Sequence, residues 1–313
     1  FSAPFVEQVS DPNDSKAEWK CAVNYWFRHI WEYWWPLYPG VIVAMSVFDI
    51  EAWKFMASQF LFTPVAIAVG YFFLIHKHTR KLAVTVEREN NGGQDNYRFV
   101  FLLSPIIIVI TSIFVMPPIL RFLFPTFSTQ ICKMMGVDLG LAIAVFLIFL
   151  DMRRYGKITL FKKFFSIRTA NVMLSLSGVL IFKYLLTRSG LLPLAGTELI
   201  ESGIPITAAI IVLPFLAGLV TGLAVGFTGT SFPLVAGLMN TDGSGLTPLS
   251  TIALAYVCGY AGMMLSPVHL CLLVTRDFFS ASMRKIIVAV WPMVVTVVLF
   301  GVVLHIVLGV LNW

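Results

Sequence analysis

The chain has 313 residues, of which 58% are apolar and only 12% charged, and it carries a formal net charge of +6. A mean hydropathy of +0.86 lies beyond what a water-soluble domain carries, which excludes a soluble globular fold and points to a polytopic membrane protein. The positive excess sits in short loops between apolar runs, with no stripe of basic and aromatic residues, so nucleic acid is excluded as a partner and the lipid bilayer is the expected one.

The chain opens on Phe1 without the charged, apolar and small-residue blocks of a secretory signal, and is expected to begin inside a longer protein. Residues Ser2-Ala3-Pro4-Phe5-Val6 form a short polar tip. A long apolar helix is expected over 22–49, broken at Pro36, Pro39 and Gly40, because proline removes a backbone donor and displaces the carbonyl one turn earlier. Further helices are expected over 53–75, 99–124, 137–152 and 170–187. Residues 205–240 are too long for one ordinary span, and their centre, Gly226 to Pro233, is a poor helix interior. A re-entrant hairpin with its tip there is expected. A second broken helix follows over 248–275, interrupted at Ser266-Pro267, and a last helix over 286–312.

The tip recurs as Ser231-Phe232-Pro233-Leu234-Val235, and each copy precedes a proline-broken helix. Paired interrupted segments in corresponding halves mark the substrate site of a secondary transporter. The basic connections 76–98, 153–168 and 276–285 belong in the cytoplasm, which sends the 205–240 hairpin in from outside and the Ser2 tip in from inside. The two copies are thus inverted. Residues 1–85 close the first repeat, 86–98 form a flexible cytoplasmic linker, and 99–313 make the second repeat. By symmetry, roughly a hundred residues with three spans and the first hairpin arm should precede Phe1. The fold class is all-α polytopic, with inverted-topology repeats, re-entrant hairpins and broken helices.

Candidate substrate contacts follow from this plan. Ser2, Thr228, Thr230 and Ser231 offer hydroxyls, Gly229 exposes its amide, and Pro4, Pro36, Pro39, Gly40, Ser266 and Pro267 mark the tip and the breaks, where backbone groups are left for an ion or polar solute to satisfy. Tight packing of hairpin arms through small residues is the alternative reading of the tips. The first broken helix also holds Arg28, His29 and Glu32, and ionisable residues inside a span are functional candidates by default. Arg28 and Glu32 are four apart and can pair, and Glu32 sits roughly 6 Å along the axis from Pro36. Against this, Tyr25, Trp26, Trp31, Tyr33, Trp34 and Trp35 also fit an interfacial aromatic belt from which Arg28 snorkels. His269 lies beside the second break, while His305 has no polar company and reads as structural. The four cysteines read as apolar helix filler, and His29-x-x-Glu32 lacks the second histidine of a zinc motif, so no metal site is expected.

The string Asn24-Tyr25-Trp26-Phe27-Arg28-His29-Ile30-Trp31-Glu32-Tyr33, with Trp35-Pro36-Leu37-Tyr38-Pro39-Gly40, the opening Phe1-Ser2-Ala3-Pro4, and the later Gly229-Thr230-Ser231-Phe232-Pro233-Leu234 and Ala261 to His269, resembles an uncharacterised membrane family, domain of unknown function 401. That family is grouped with the ion transporter superfamily, beside citrate, gluconate and dicarboxylate carriers. The resemblance implies a scaffold and a moving transport domain, two opposed hairpins around the substrate, and a homodimer working by an elevator motion. Sodium-coupled dicarboxylate carriers use Ser-Asn-Thr at their tips, where this chain has Ser2-Ala3-Pro4 and Thr230-Ser231-Phe232.

The expectation is a proton- or sodium-coupled secondary transporter of a small anionic solute, multi-pass in a prokaryotic inner membrane. Arg28, His29, Glu32 and His269 are its coupling candidates, and no cofactor is expected beyond H+ or Na+. A membrane subunit of a larger transport complex and an intramembrane enzyme acting through Glu32 and His29 are the alternatives.

Overall fold

The computed structural model describes residues 2–10, 16–76, 94–126, 128–154, 205–239 and 245–311, with scattered positions between 174 and 202. Among the described residues every regular element is helical. Three helical segments, Ala52–Ile75, Pro248–Phe279 and Met283–Val310, are long and apolar enough to cross a membrane.

The chain forms two compact units, one of Phe1–Val86 with Leu174–Trp313 and the other of Glu87–Met173. Within the second, α6 (Gln94–Leu123) and α7 (Thr129–Arg154) pack along each other. Glycines let them approach. A Cβ on Gly140 would lie 2.5 Å from Ser112 Cβ, and one on Gly136 would lie 3.0 Å from Met116 Cβ. This is the small-residue contact expected where lipid removes the hydrophobic drive for helices to associate.

The first unit begins with α1 (Ala3–Val9), α2 (Ala17–His29), α3 (Pro39–Phe48), α4 (Ala52–Gln59) and α5 (Phe62–Gly70), the last continued by a π-helical turn over Tyr71–Ile75. It resumes with α8 (Ile206–Thr221), α9 (Ala224–Met239), α10 (Pro248–Leu265), α11 (Leu270–Phe279) and α12 (Met283–Val310). Helix α10 is the centre. It is apolar on all faces, every residue from Leu249 to Met264 is buried, and α4, α8, α9 and α12 all pack against it. The contact with α8 is backbone on backbone. A Cβ on Gly218 would fall 2.1 Å from the Gly259 carbonyl oxygen, and one on Gly262 2.0 Å from that of Phe215.

Both expected helix breaks are present. Helix α2 stops at His29 and α3 starts at Pro39, whose missing N–H costs nothing in the first turn of a helix. The second break separates α10 from α11 at Ser266 to His269. The expected helix over 53–75 is interrupted at Phe60-Leu61. The linker and two of the basic connections fall largely on residues outside those described, as does most of the helix expected over 170–187.

The tip is displaced. Residues Gly226 to Pro233, expected to be irregular, lie inside α9, and the turn of the α8–α9 hairpin is at Gly222-Leu223. Gly222 takes φ +62°, the left-handed conformation that closes a helix end, and its N–H donates to the Gly218 carbonyl. Helix α9 absorbs its unfavourable residues because Thr228, Thr230 and Ser231 donate their hydroxyls back to the carbonyls of Ala224, Gly226 and Phe227 at 2.8, 2.7 and 2.6 Å. Residues Ala3 to Val6 are likewise helical, with Pro4 in the first turn of α1.

Candidate functional site

The two breaks and the hairpin turn converge. His29, the last residue of α2, and His269, the residue before α11, are both buried and set their Nε2 atoms 3.2 Å apart across 240 positions of sequence. The opposite ring atom of each histidine is fixed by backbone. His29 Nδ1 lies 2.6 Å from the Tyr25 carbonyl oxygen and His269 Nδ1 2.7 Å from that of Gly222. A carbonyl only accepts, so both Nδ1 atoms carry hydrogen and, in the neutral rings, both Nε2 atoms present lone pairs to each other. Such a facing pair is repulsive unless a cation lies between.

Glu32 sits one turn beyond His29 inside the first break and is partly buried. Its Oε2 accepts from the Tyr260 hydroxyl at 3.0 Å, and the Tyr38 hydroxyl is a second partner. The His29 carbonyl lies 2.8 Å from the same Tyr260 hydroxyl and shares its single hydrogen with Glu32, while Tyr256, one turn earlier on α10, donates to the Glu32 carbonyl at 3.0 Å. The Ile30 carbonyl accepts from Thr63 at 2.6 Å, and Thr63 accepts in turn from Trp34 at 2.8 Å. The carbonyls freed by the first break are thus held by side chains of α5 and α10. At the second break, Ser266 donates its hydroxyl to the Leu219 carbonyl at 2.7 Å.

Close packing holds the hairpin turn in place. A Cβ on Gly222 would meet His269 N at 2.9 Å, and one on Gly40 would meet Ala224 Cβ at 2.7 Å, so the start of α9 rests on the start of α3. Gly40 and Pro36 are buried, whereas Pro39 and Pro267 are exposed. Of the expected site residues, His29, Glu32, Ser266 and His269 come together around the breaks. Thr228, Thr230 and Ser231 turn their hydroxyls to their own helix. Gly229 is buried in α9. Among the described residues the buried Ser2 hydroxyl has no hydrogen-bond partner and so none at either break; Pro4 is exposed on α1. Arg28 is exposed and, among the described residues, makes no ion pair with Glu32. Tyr25, Trp26 and Tyr33 are 1, 2 and 4% exposed, so they are core residues rather than an outward belt. His305 is not isolated either, since its Nδ1 lies 2.9 Å from the Ser250 carbonyl oxygen.

Sequence reasoning passed over Tyr256 and Tyr260, although their four-residue spacing puts both hydroxyls on one face of α10. It also passed over Gly222, and it took Cys271 for apolar helix filler. His29, His269 and Cys271 bring their ligand atoms within 4.8 Å of one another. The spacing His269-x-Cys271 was the available signal.

With this geometry in hand, comparison with known families gives one result. The chain belongs to the DUF401 family. That family model, described as a protein of unknown function, matches residues 1–310. No curated protein and no solved structure matches the chain. In this DUF401 member the matched region therefore takes in both breaks, the hairpin and the histidine pair.

Proposed function

We propose that the protein is a secondary active transporter of the ion transporter superfamily type, multi-pass in a prokaryotic cytoplasmic membrane, that moves a small anionic solute coupled to a proton or sodium gradient. One observation carries this reading: two interrupted helices and a helical hairpin turn meet at one polar point inside an otherwise apolar unit. Interrupted helices leave backbone groups that lipid cannot satisfy, and such backbone is tolerated where it is enclosed by protein or lines a substrate path. On this proposal the α8–α9 hairpin is re-entrant, the repeats are inverted, and alternating access follows from an elevator motion in a homodimer. Glu32 is the coupling group, because a carboxylate in a break can change its partners when the surrounding helices move. Thr228 to Ser231 act as packing residues, and the solute is bound at the breaks themselves.

Uptake into proteoliposomes, driven separately by proton and sodium gradients and tried on organic and inorganic anions, tests the proposal. Gradient-driven uptake that Glu32→Gln abolishes is expected. If neither gradient moves any solute in the unmodified protein, the transporter reading fails.

A further inference from the structure

We propose that the space between His29, His269 and Cys271 is a binding site for a d-block cation of borderline softness, Zn2+ being the chemical type. Two imidazole nitrogens and one cysteine sulfur are the donor set that such ions prefer, and alkali or alkaline-earth cations, which favour oxygen, fit it poorly. The spacing of the nitrogens agrees. Bonds of about 2.0–2.1 Å at a tetrahedral angle place two coordinated nitrogens about 3.3–3.4 Å apart, and the Nε2 atoms stand at 3.2 Å.

The rings are also oriented as ligands are. Metal-bound histidines usually donate the other ring N–H to a carbonyl or carboxylate, which fixes the tautomer and aims the lone pair. Both histidines have that arrangement, to Tyr25 and Gly222. A third donor is near, because the three ligand atoms lie within 4.8 Å of one another and Cys271 is in the first turn of α11. A tetrahedral ion holds nitrogen and sulfur about 3.6 Å apart, so the Cys271 side chain closes in by about 1 Å on binding. A shared proton would relieve the nitrogen pair but would leave the adjacent sulfur without a role. Asn24 on α2 donates from Nδ2 to Thr275 Oγ1 of α11 at 3.1 Å, and its Oδ1 is buried with no partner among the described residues. Arg28 is the opposing charge, and it is exposed. Three protein ligands leave one tetrahedral position open, the pattern of a site that exchanges a ligand rather than a closed structural centre.

The whole chain, purified in detergent and stripped with a chelator, is titrated with Co2+ alone. Saturable binding of one ion is expected, with intense tetrahedral visible bands and a thiolate-to-cobalt charge-transfer band. Cys271→Ser removes the charge-transfer band, and Cys258→Ala leaves it. His269→Gln weakens binding by more than the 10–100-fold typical of losing an outer partner of a ligand. Should the variants misfold, the unmodified protein still decides: Zn2+ or Co2+ slows alkylation of Cys271, mapped by mass spectrometry, and leaves the rates of the other cysteines unchanged. No saturable cobalt binding, a spectrum without sulfur character, or an unchanged Cys271 alkylation rate overturns the proposal. The binding is read without a transport assay, so its failure is distinct from that of the transporter reading.

Discussion

The two helix breaks differ in what they give and what they take. The first is long, running from Ile30 to Tyr38, and its carbonyls at His29, Ile30 and Glu32 are satisfied by hydroxyls from Tyr260, Thr63 and Tyr256. The second is only Ser266 to His269, and its side chains reach outward to Leu219 and Gly222 of the hairpin and to His29 of the first break. One break is held by its surroundings and the other holds them. The lesson is that two proline-marked breaks need not share labour, and that disturbing the donor break should cost the fold more than disturbing the receiving one.

The largest effect is expected from Gly262→Ala, in the last turn of the helix that leads into the donor break. Its Cβ would fall 2.0 Å from the Phe215 carbonyl oxygen, where backbone meets backbone and nothing can rotate away. A loss at or above the ~3 kcal/mol upper end for overpacking is expected, read as a lowered thermal midpoint in detergent. Gly222→Ala should follow, at about 2–3 kcal/mol, combining a left-handed residue with crowding against His269 N. Tyr260→Phe should cost about 2 kcal/mol, because a partly buried carboxylate and a carbonyl lose one donor, and Tyr256→Phe about 1 kcal/mol, since one carbonyl alone is affected. If the tyrosine variants prove more damaging than Gly222→Ala, the division between donor and receiver is wrong.

The smallest effect belongs to the surface pair of Glu18 with Lys285, 3.0 Å apart, which should be worth well under about 1 kcal/mol. The Lys285 ammonium lowers the Glu18 carboxyl below its ordinary value of 4.5. A carboxyl lowered on folding stabilises above its unfolded pKa, and that contribution fades as pH falls through the folded value. The difference between the wild type and Lys285→Ala should therefore shrink on acidification, as thermal melts between neutral and acid pH would reveal.

Proline and hydropathy made the breaks legible, because Pro36, Pro39 and Pro267 act through local backbone chemistry that needs no tertiary knowledge. The same reasoning misplaced the hairpin turn. Gly226, Gly229 and Pro233 weaken a helix by propensity, but the hydroxyls of Thr228, Thr230 and Ser231 and the packing around Phe227 and Phe232 outweigh it. Gly222 alone carries the positive φ of the turn, and a single glycine in an apolar run gives no sign of that in advance. The pairing of His29 with His269 was equally hidden, since residues 240 positions apart share no local pattern. Tyr25, Trp26 and Tyr33 looked like a headgroup belt because aromatic residues serve both cores and interfaces, and burial alone separates the two.

The contact of Gly218 with Gly259 and of Gly262 with Phe215 also bears on motion. With backbone seated on backbone over more than a turn, α8 cannot slide or tilt against α10 without collision. The hairpin therefore cannot swing as a flap of its own. On the transport proposal, opening of the polar point would therefore move α8, α10 and the second break together, with the change concentrated at the first break, where hydroxyl contacts to carbonyls can be exchanged one at a time.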